Sequence, residues 1–407
     1  MKKSLEIILI IIIVILTGIH LVEYTLKTPE LDYFNTNTLI NYSRGFVRRG
    51  ISGEIIKLFS SILNLNPLFI IKSFNLILIS LFVSYFVISV VKYKISFSFF
   101  LFPFVIPFLI IDDIINFKDF FTIILLILLV KTILHPKLNN YLKWILLNAI
   151  CMIAILNHEM SFFIFIPTIV IIHYLINPTI GQIATKIAFL TPTLFIFYLC
   201  IHYSGTVEQE TQILSGYQFL PNSNTKIDQL SDKAVFLLPK FFISIIWNGY
   251  SRGITSLFYL IQILFLLSFF DKIKTSFKSY NNTLNPNLLV CLYVILLLCF
   301  LPIFLIAYDW HRFLFLILIS SLIIGIEFYK SERKLNITYI LPNITLKTSA
   351  YLRNFFLYFI IPERSLLLLI GFFGIIPHMK MGNTSFQFSS LYLIIMNFMT
   401  KITSILL

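Results

Sequence analysis

NPLFIIKSFNLILISLFVSYFVISVV, residues 66–91, carries a single charge, Lys72, and reads as one uninterrupted apolar helix. A helix of that length crosses a hydrocarbon layer of about 30 Å with residues to spare. Lipid offers the backbone no hydrogen-bond partners, so a segment that satisfies its own amides is the natural form for such a run. Comparable stretches recur outward in both directions, at about 5–22, 95–111, 120–135, 143–157, 160–176, 187–203, 254–270, 287–307, 313–329, 358–377 and 386–404. Composition points the same way. Hydrophobic residues make up 58% of the 407 and charged residues 12%, with 44 phenylalanines, more apolar surface than a water-soluble fold can hide. The expected fold is an all-α, polytopic integral membrane protein of about 12 transmembrane helices, a single transmembrane domain over 1–407 with its largest outer loop at 203–252.

The first run, behind Lys2 and Lys3, resembles a secretory leader, but no small-residue cleavage site follows it and it is expected to stay as a span. The four cysteines, Cys151, Cys200, Cys291 and Cys299, lie in apolar runs without metal-ligand spacing and are expected to be packing residues. Lysine sorts the connections. Lys92, Lys94, Lys131, Lys137, Lys143, Lys186, Lys272 and Lys330 fall on one side of the expected bundle, which the positive-inside rule makes cytoplasmic, with both termini there. The formal net charge of +13 is then topology and contact with anionic headgroups, and it is poor evidence for nucleic acid. Two segments are not simple spans. Gly50 to Leu65 places Ile51, Ile55, Phe59 and Ile62 on one stripe, with Glu54 and Lys57 elsewhere, as expected of a helix lying at the outer interface after the first outer loop. The stretch from Val235 to Trp247 is either another interfacial helix or a short span, and a span there inverts everything after it.

The remaining polar groups gather on the face opposite the lysines. Arg44, Arg48 and Arg49 follow the first span, Asp112, Asp113, Lys118 and Asp119 the third, and His158 and Glu159 the fifth; Asp309, His311 and Arg312 follow the ninth, and His378 the eleventh. Counting Arg252, five of the eight arginines fall outside, against the usual bias, and a shared outward site accounts for that. Arg44, Arg48 and Arg49 precede Gly50 and Gly53 at the start of the interfacial helix, where guanidinium forks and free helix amides can meet one anion. Arginine holds phosphate oxygens in a bidentate fork, which lysine cannot. Headgroup anchoring is the plainer use of the same residues.

His158 and Glu159 sit between two apolar runs with almost no loop, and ionisable groups held at a membrane edge are costly to keep. Partial burial is expected to raise the Glu159 carboxyl toward a general base, with His158 as relay; a merely polar turn is the alternative. Asp309 and Arg312, three apart, either share this site or pair on one helix face. Asp112, Asp113 and Asp119 have the ligand chemistry for a divalent cation, but a solvated turn explains them more simply. Neither a metal nor a cofactor is called for. Outer-loop tyrosines, Tyr33, Tyr42, Tyr203, Tyr217 and Tyr250, have faces on which sugars stack, though interface anchoring suits most of them.

Taken together, about a dozen spans, the outward run Arg44-Gly-Phe-Val-Arg48-Arg49-Gly50, the His158-Glu159 pair, the Asp309-x-x-Arg312 element and one enlarged outer loop resemble the bacterial O-antigen and capsule repeat-unit polymerases. More loosely they resemble polytopic glycosyltransferases that use polyprenyl-linked donors. The resemblance implies donor and acceptor oligosaccharides carried on undecaprenyl diphosphate, membrane lipid around the chain, a chain-length regulator as possible partner, and transfer at the outer face of the cytoplasmic membrane. It assigns Glu159 or Asp309 as base, His158 and His311 as assistants, and Arg44, Arg48, Arg49 and Arg312 to the diphosphate. A rival in the same class takes one sugar from a polyprenyl monophosphate, with Glu30 or Asp32 as base. A flippase or transporter is the rival from another class, and repeated halves or polar mid-span residues would mark it; the spans here are nearly uncharged at their centres.

Overall fold

The computed structural model describes residues 33–93, 117–176, 187–203, 205–217, 295–300, 310–331, 378–379 and 386–387. The regular elements among these residues are helices, apart from a two-residue antiparallel pairing of β1 (His378–Met379) with β2 (Phe386–Gln387). In chain order the helices are α1 (Tyr33–Leu39), α2 (Gly50–Leu63), α3 (Pro67–Tyr93), α4 (Phe117–Leu134), α5 (Asn140–Asn157), α6 (Phe162–Ile176), α7 (Thr191–His202), α8 (Val207–Ser215) and α9 (Trp310–Lys330), with one 3-10 turn, Glu159–Ser161, between α5 and α6. Two of them, over Pro67–Ser89 and Asn140–Asn157, are long and apolar enough to cross a membrane. The helices α3, α4, α5, α6, α7 and α9 match the expected spans at 66–91, 120–135, 143–157, 160–176, 187–203 and 313–329 to within a few residues. The expected spans at 5–22, 95–111, 254–270 and 358–377 lie outside the described residues. Of 287–307 only 295–300 is described, and it is helical; 386–404 begins within the β pair, its remainder outside the description.

The core lies between α3, α4, α5 and α9. Phe82 is central to it, edge-to-face with Phe86 at 4.8 Å and with Phe120 at 5.5 Å. Ring pairs of this kind add roughly 0.5–1.5 kcal/mol each beyond the area they bury. Cys151 and Cys200 are buried free thiols and Cys299 is half-buried; Cys291 lies outside the described residues.

Polar contacts fix the direction of each helix. At one end the Tyr85 hydroxyl donates to Glu327 at 2.8 Å, and Lys330 donates to Glu327 at 2.7 Å and to Ser89 at 3.2 Å. The ammonium groups of Lys330 and Lys131 lie 4.5 Å and 5.7 Å from the centre of the Tyr85 ring. The last turns of α3, α4 and α9 therefore share that end. Lys143, opening α5, donates to the Ile133 carbonyl at 3.2 Å, so α5 runs back against α4. Trp144 stacks on both His173 and Phe189, which places the start of α5, the end of α6 and the approach to α7 together. Lys131, Lys143 and Lys330 thus lie at the end opposite the close of α5, the segregation that the lysine pattern led us to expect.

The apolar stripe expected of an interfacial α2 is turned away from the bundle at Phe59 and Ile62, which are exposed, while Gly50, Ser52, Gly53 and Ile56 are buried. Gly53 is small because the backbone of the preceding segment runs so close that a Cβ there would overlap the Ile40 carbonyl. One local expectation changes: Asp119 is no solvated turn. It is buried in the first turn of α4 beside Lys118, whose ammonium donates to the Asn37 carbonyl at 3.0 Å and to the Asn37 side chain. A buried charge persists only with such partners.

Candidate functional site

The segment between α1 and α2 is held turn by turn. Asn41 accepts from the Ser43 amide at 2.9 Å, the Gly45 amide donates to the Tyr42 carbonyl at 3.2 Å, and Gly45 takes a φ of 100° open to glycine. From α2, Glu54 accepts the Tyr42 amide at 3.0 Å. From the enlarged loop, α8 closes over this turn. Thr206 and Gln209 cap α8 reciprocally, and the Gln209 amide reaches the Arg44 carbonyl at 3.1 Å. Tyr217 accepts from Asn41 at 2.8 Å and donates to the Leu39 carbonyl at 3.0 Å. Ile213 packs with Ile40 and Val47 into a small second core beneath.

This frame turns Arg48 and Arg49 inward. Arg49 is the N-cap of α2 and sits in the left-handed region at φ 63°, a conformation of the order of 1–3 kcal/mol for a side-chain-bearing residue. Its guanidinium holds Glu159 at both oxygens: Nε donates to Oε2 at 2.8 Å and a terminal nitrogen donates to Oε1. Arg48, 4% exposed, brings a terminal nitrogen to 3.8 Å from Oε1. Glu159 reaches them because His158 is extended, ending α5 and capping the 3-10 turn at once. The His158 Nδ1 accepts the Met160 amide at 3.3 Å and lies 3.8 Å from Glu159 Oε2. A neutral ring therefore serves Met160, and a protonated one faces the carboxylate through the same nitrogen.

Below the ions lies a buried polar floor. The Asn157 side chain donates to the Lys118 carbonyl at 2.9 Å and to Thr122 at 3.2 Å, and it accepts from Ser52 of α2. Thr122 and Ser161 hydroxyls stand 3.4 Å apart. Four elements, α2, α4, α5 and the 3-10 turn, thereby fix the position of Glu159.

Burial alone would raise the Glu159 carboxyl, yet the Arg49 charge and hydrogen bonds, with His158 and Arg48 adding, hold it well below the ordinary carboxylate range. That reverses the raised value expected from depth alone, because the sequence does not show the fork. In this state Glu159 is an ionised counter-charge to two guanidinium groups.

Of the residues singled out in the sequence, Arg48, Arg49, His158 and Glu159 meet. Arg44 is exposed on the rim of the same turn. His311 and Arg312 open α9, whose far end packs on Tyr85 and Ser89, so they start from the end at which Arg49 sits. Asp309, Asp112, Asp113 and Arg252 lie outside the described residues. Among the described residues, no three His, Cys, Asp or Glu side chains gather as a metal-ligand set. Reading the sequence passed over Ser52, Asn157 and Gln209; the one signal was that Asn157 directly precedes His158 at the end of an apolar run.

What these residues define is a helical bundle, with helices of membrane-crossing length, carrying a buried arginine–carboxylate cluster at one end. Compared with protein-family models, curated proteins and solved structures, the chain matches none.

Proposed function

We propose that this chain is a membrane glycosyltransferase of the polysaccharide-polymerase kind, joining undecaprenyl-diphosphate-linked repeat units at the outer face of a bacterial cytoplasmic membrane. The observation that carries the reading is the meeting of Arg48 and Arg49, two consecutive guanidinium groups, on one buried carboxylate at the end of the bundle opposite Lys131, Lys143 and Lys330. A diphosphate offers oxygens for both guanidinium forks.

In the reaction, an acceptor sugar hydroxyl forms a bond to C1 of the donor sugar as the bond from C1 to the diphosphate breaks. Undecaprenyl diphosphate leaves, and the hydroxyl proton passes to a carboxylate. Arg48 and Arg49 offset the charge that grows on the leaving diphosphate, the step where fixed cations act most strongly. Arg44 and Arg312 are assigned to the same diphosphate. Glu159, ionised far below neutrality in its paired state, is a weak base there. The base role accordingly falls to Asp309, assisted by His311, or to Glu159 only once the diphosphate has taken over its arginines. His158 steadies Glu159 in either case.

The test is transfer by purified protein in lipid discs, supplied with repeat units on undecaprenyl diphosphate or on the monophosphate. A product ladder from the diphosphate donor alone, weakened by Arg48→Lys although charge is kept, is the expected result. Transfer from the monophosphate donor, or unlabelled translocation without any new glycosidic bond, contradicts it.

A further inference from the structure

Five aromatic rings lead away from the arginine cluster in an unbroken run. Tyr42 stacks on Phe46 at 5.8 Å, and Phe46 meets the edge of Tyr203 at 6.4 Å. Tyr203 stands perpendicular to His202 at 4.8 Å, and His202 stacks on Tyr198 at 5.7 Å. Two separate elements build the run, the turn before α2 and the last turn of α7 with the residue after it.

Its Tyr42 end belongs to the ion site. The Tyr42 ring covers Gly50, the residue after Arg49, so closely that a Cβ there would overlap it. From Phe46 outward the run is open: Phe46 is 37% exposed, Tyr203 52% and Tyr198 56%. At its inner end the Tyr42 hydroxyl is buried without a hydrogen-bond partner among the described residues. A buried hydroxyl left unsatisfied costs about 1–3 kcal/mol, and a ligand hydroxyl at that point would recover it.

We infer that this run is a glycan-binding rail, taking the pyranose rings of the oligosaccharide joined to the diphosphate. Sugars present apolar C–H faces and hydroxylated edges, and tyrosine and histidine offer the matching pair, a π face with a polar rim. A saccharide whose diphosphate sits on Arg48 and Arg49 has to leave that point along some path, and the exposed rings start there. Headgroup anchoring, in the aromatic belts of a membrane interface, is the competing use of surface rings. Here each ring is set by the next, across two elements. The rail rests on the reading of the arginine cluster as a diphosphate site.

The test uses full-length protein in lipid discs and two probes, inorganic diphosphate by calorimetry and lipid-free oligosaccharide released by mild acid from the surface polysaccharide of the producing cell, by saturation-transfer NMR. The account expects transfer from wild-type protein to sugar ring protons, reduced roughly fivefold or more by Phe46→Leu and Tyr203→Leu. Tyr203→Trp keeps the signal, and the leucine variants keep diphosphate binding, which separates lost stacking from lost folding. An undiminished sugar signal in both leucine variants overturns the rail. So does wild-type protein that binds diphosphate but gives sugar no signal while its rings show contacts to lipid headgroups, which marks an interface belt. Wild-type protein that binds no diphosphate removes the site on which the rail depends, a failure distinct from the other two.

Discussion

Arg49 grips Glu159 with two nitrogens across 110 residues of sequence, one bond 2.8 Å long from Nε to Oε2. The fork ties the entry of α2 to the turn between α5 and α6, and it holds Arg49 in a left-handed conformation that the chain would otherwise leave.

Breaking this pair from one side is costly. Arg49→Ala strands a buried carboxylate and is expected to destabilise the protein by about 3–5 kcal/mol. Glu159→Gln costs less, and the double variant recovers much of the loss from Arg49→Ala, because no unpaired buried carboxylate remains. Thermal unfolding of the three variants in detergent checks this. Additive losses in the double variant would mean that the two side chains do not stabilise each other.

The pH dependence has a definite sign. The folded-state value of Glu159 lies below its unfolded value, so the stabilisation is complete above the ordinary carboxylate range and is lost as pH falls through the depressed value. The difference in unfolding midpoint between wild type and Glu159→Gln is therefore expected to stay level from about pH 8 to about pH 5 and to shrink at more acid pH. A wild type that instead gains on Glu159→Gln as pH falls from about 7 to about 6, measured at constant salt, would show a carboxyl raised by burial.

Gly53 packs against backbone, and backbone cannot step aside. Gly53→Ala is expected to cost about 1–3 kcal/mol through overlap with the Ile40 carbonyl. Gly216→Ala, at the end of α8 with a right-handed backbone and the Ile213 carbonyl 3.3 Å from where its Cβ would stand, is the milder comparison and should shift the midpoint less. Equal shifts for both glycines would place the tight approach elsewhere.

Asn157 joins α5 to α2 and α4 through three hydrogen bonds. Asn157→Leu keeps the volume but removes the acceptor of the buried Ser52 hydroxyl, at roughly 1–3 kcal/mol. Because Glu159 is two residues on, the same variant should also weaken inorganic diphosphate binding. Stability lost with diphosphate affinity intact would make the floor structural alone.

How much of this was legible beforehand follows from what each feature depends on. Helix α2 and the six longer helices announce themselves by local signals, apolar runs and the Gly50 entry, and their bounds agree to a few residues. Arg48, Arg49, His158 and Glu159 stood out because charge is scarce in such a chain. The buried face of α2 was hidden: its hydrophobic stripe is the longer one, but the close approach of residues 39–40 admits only Ser52 and Gly53. The ionisation of Glu159 was hidden for a related reason. Burial can be guessed from position, whereas a fork from a residue far along the chain cannot. Asn157 and Gln209 look like ordinary polar residues until their partners are known.

The central claim is that the arginine cluster serves glycan polymerisation, and the most direct measurement is a gel of surface polysaccharide from a strain lacking the gene, complemented with wild-type, Arg48→Lys or Arg49→Lys copies. The account predicts single repeats on the lipid carrier or core in the deletion strain, a full ladder with the wild-type copy, and a shortened or absent ladder with either lysine variant. A full ladder from both lysine variants, or no surface glycan of any length in the deletion strain, would contradict it.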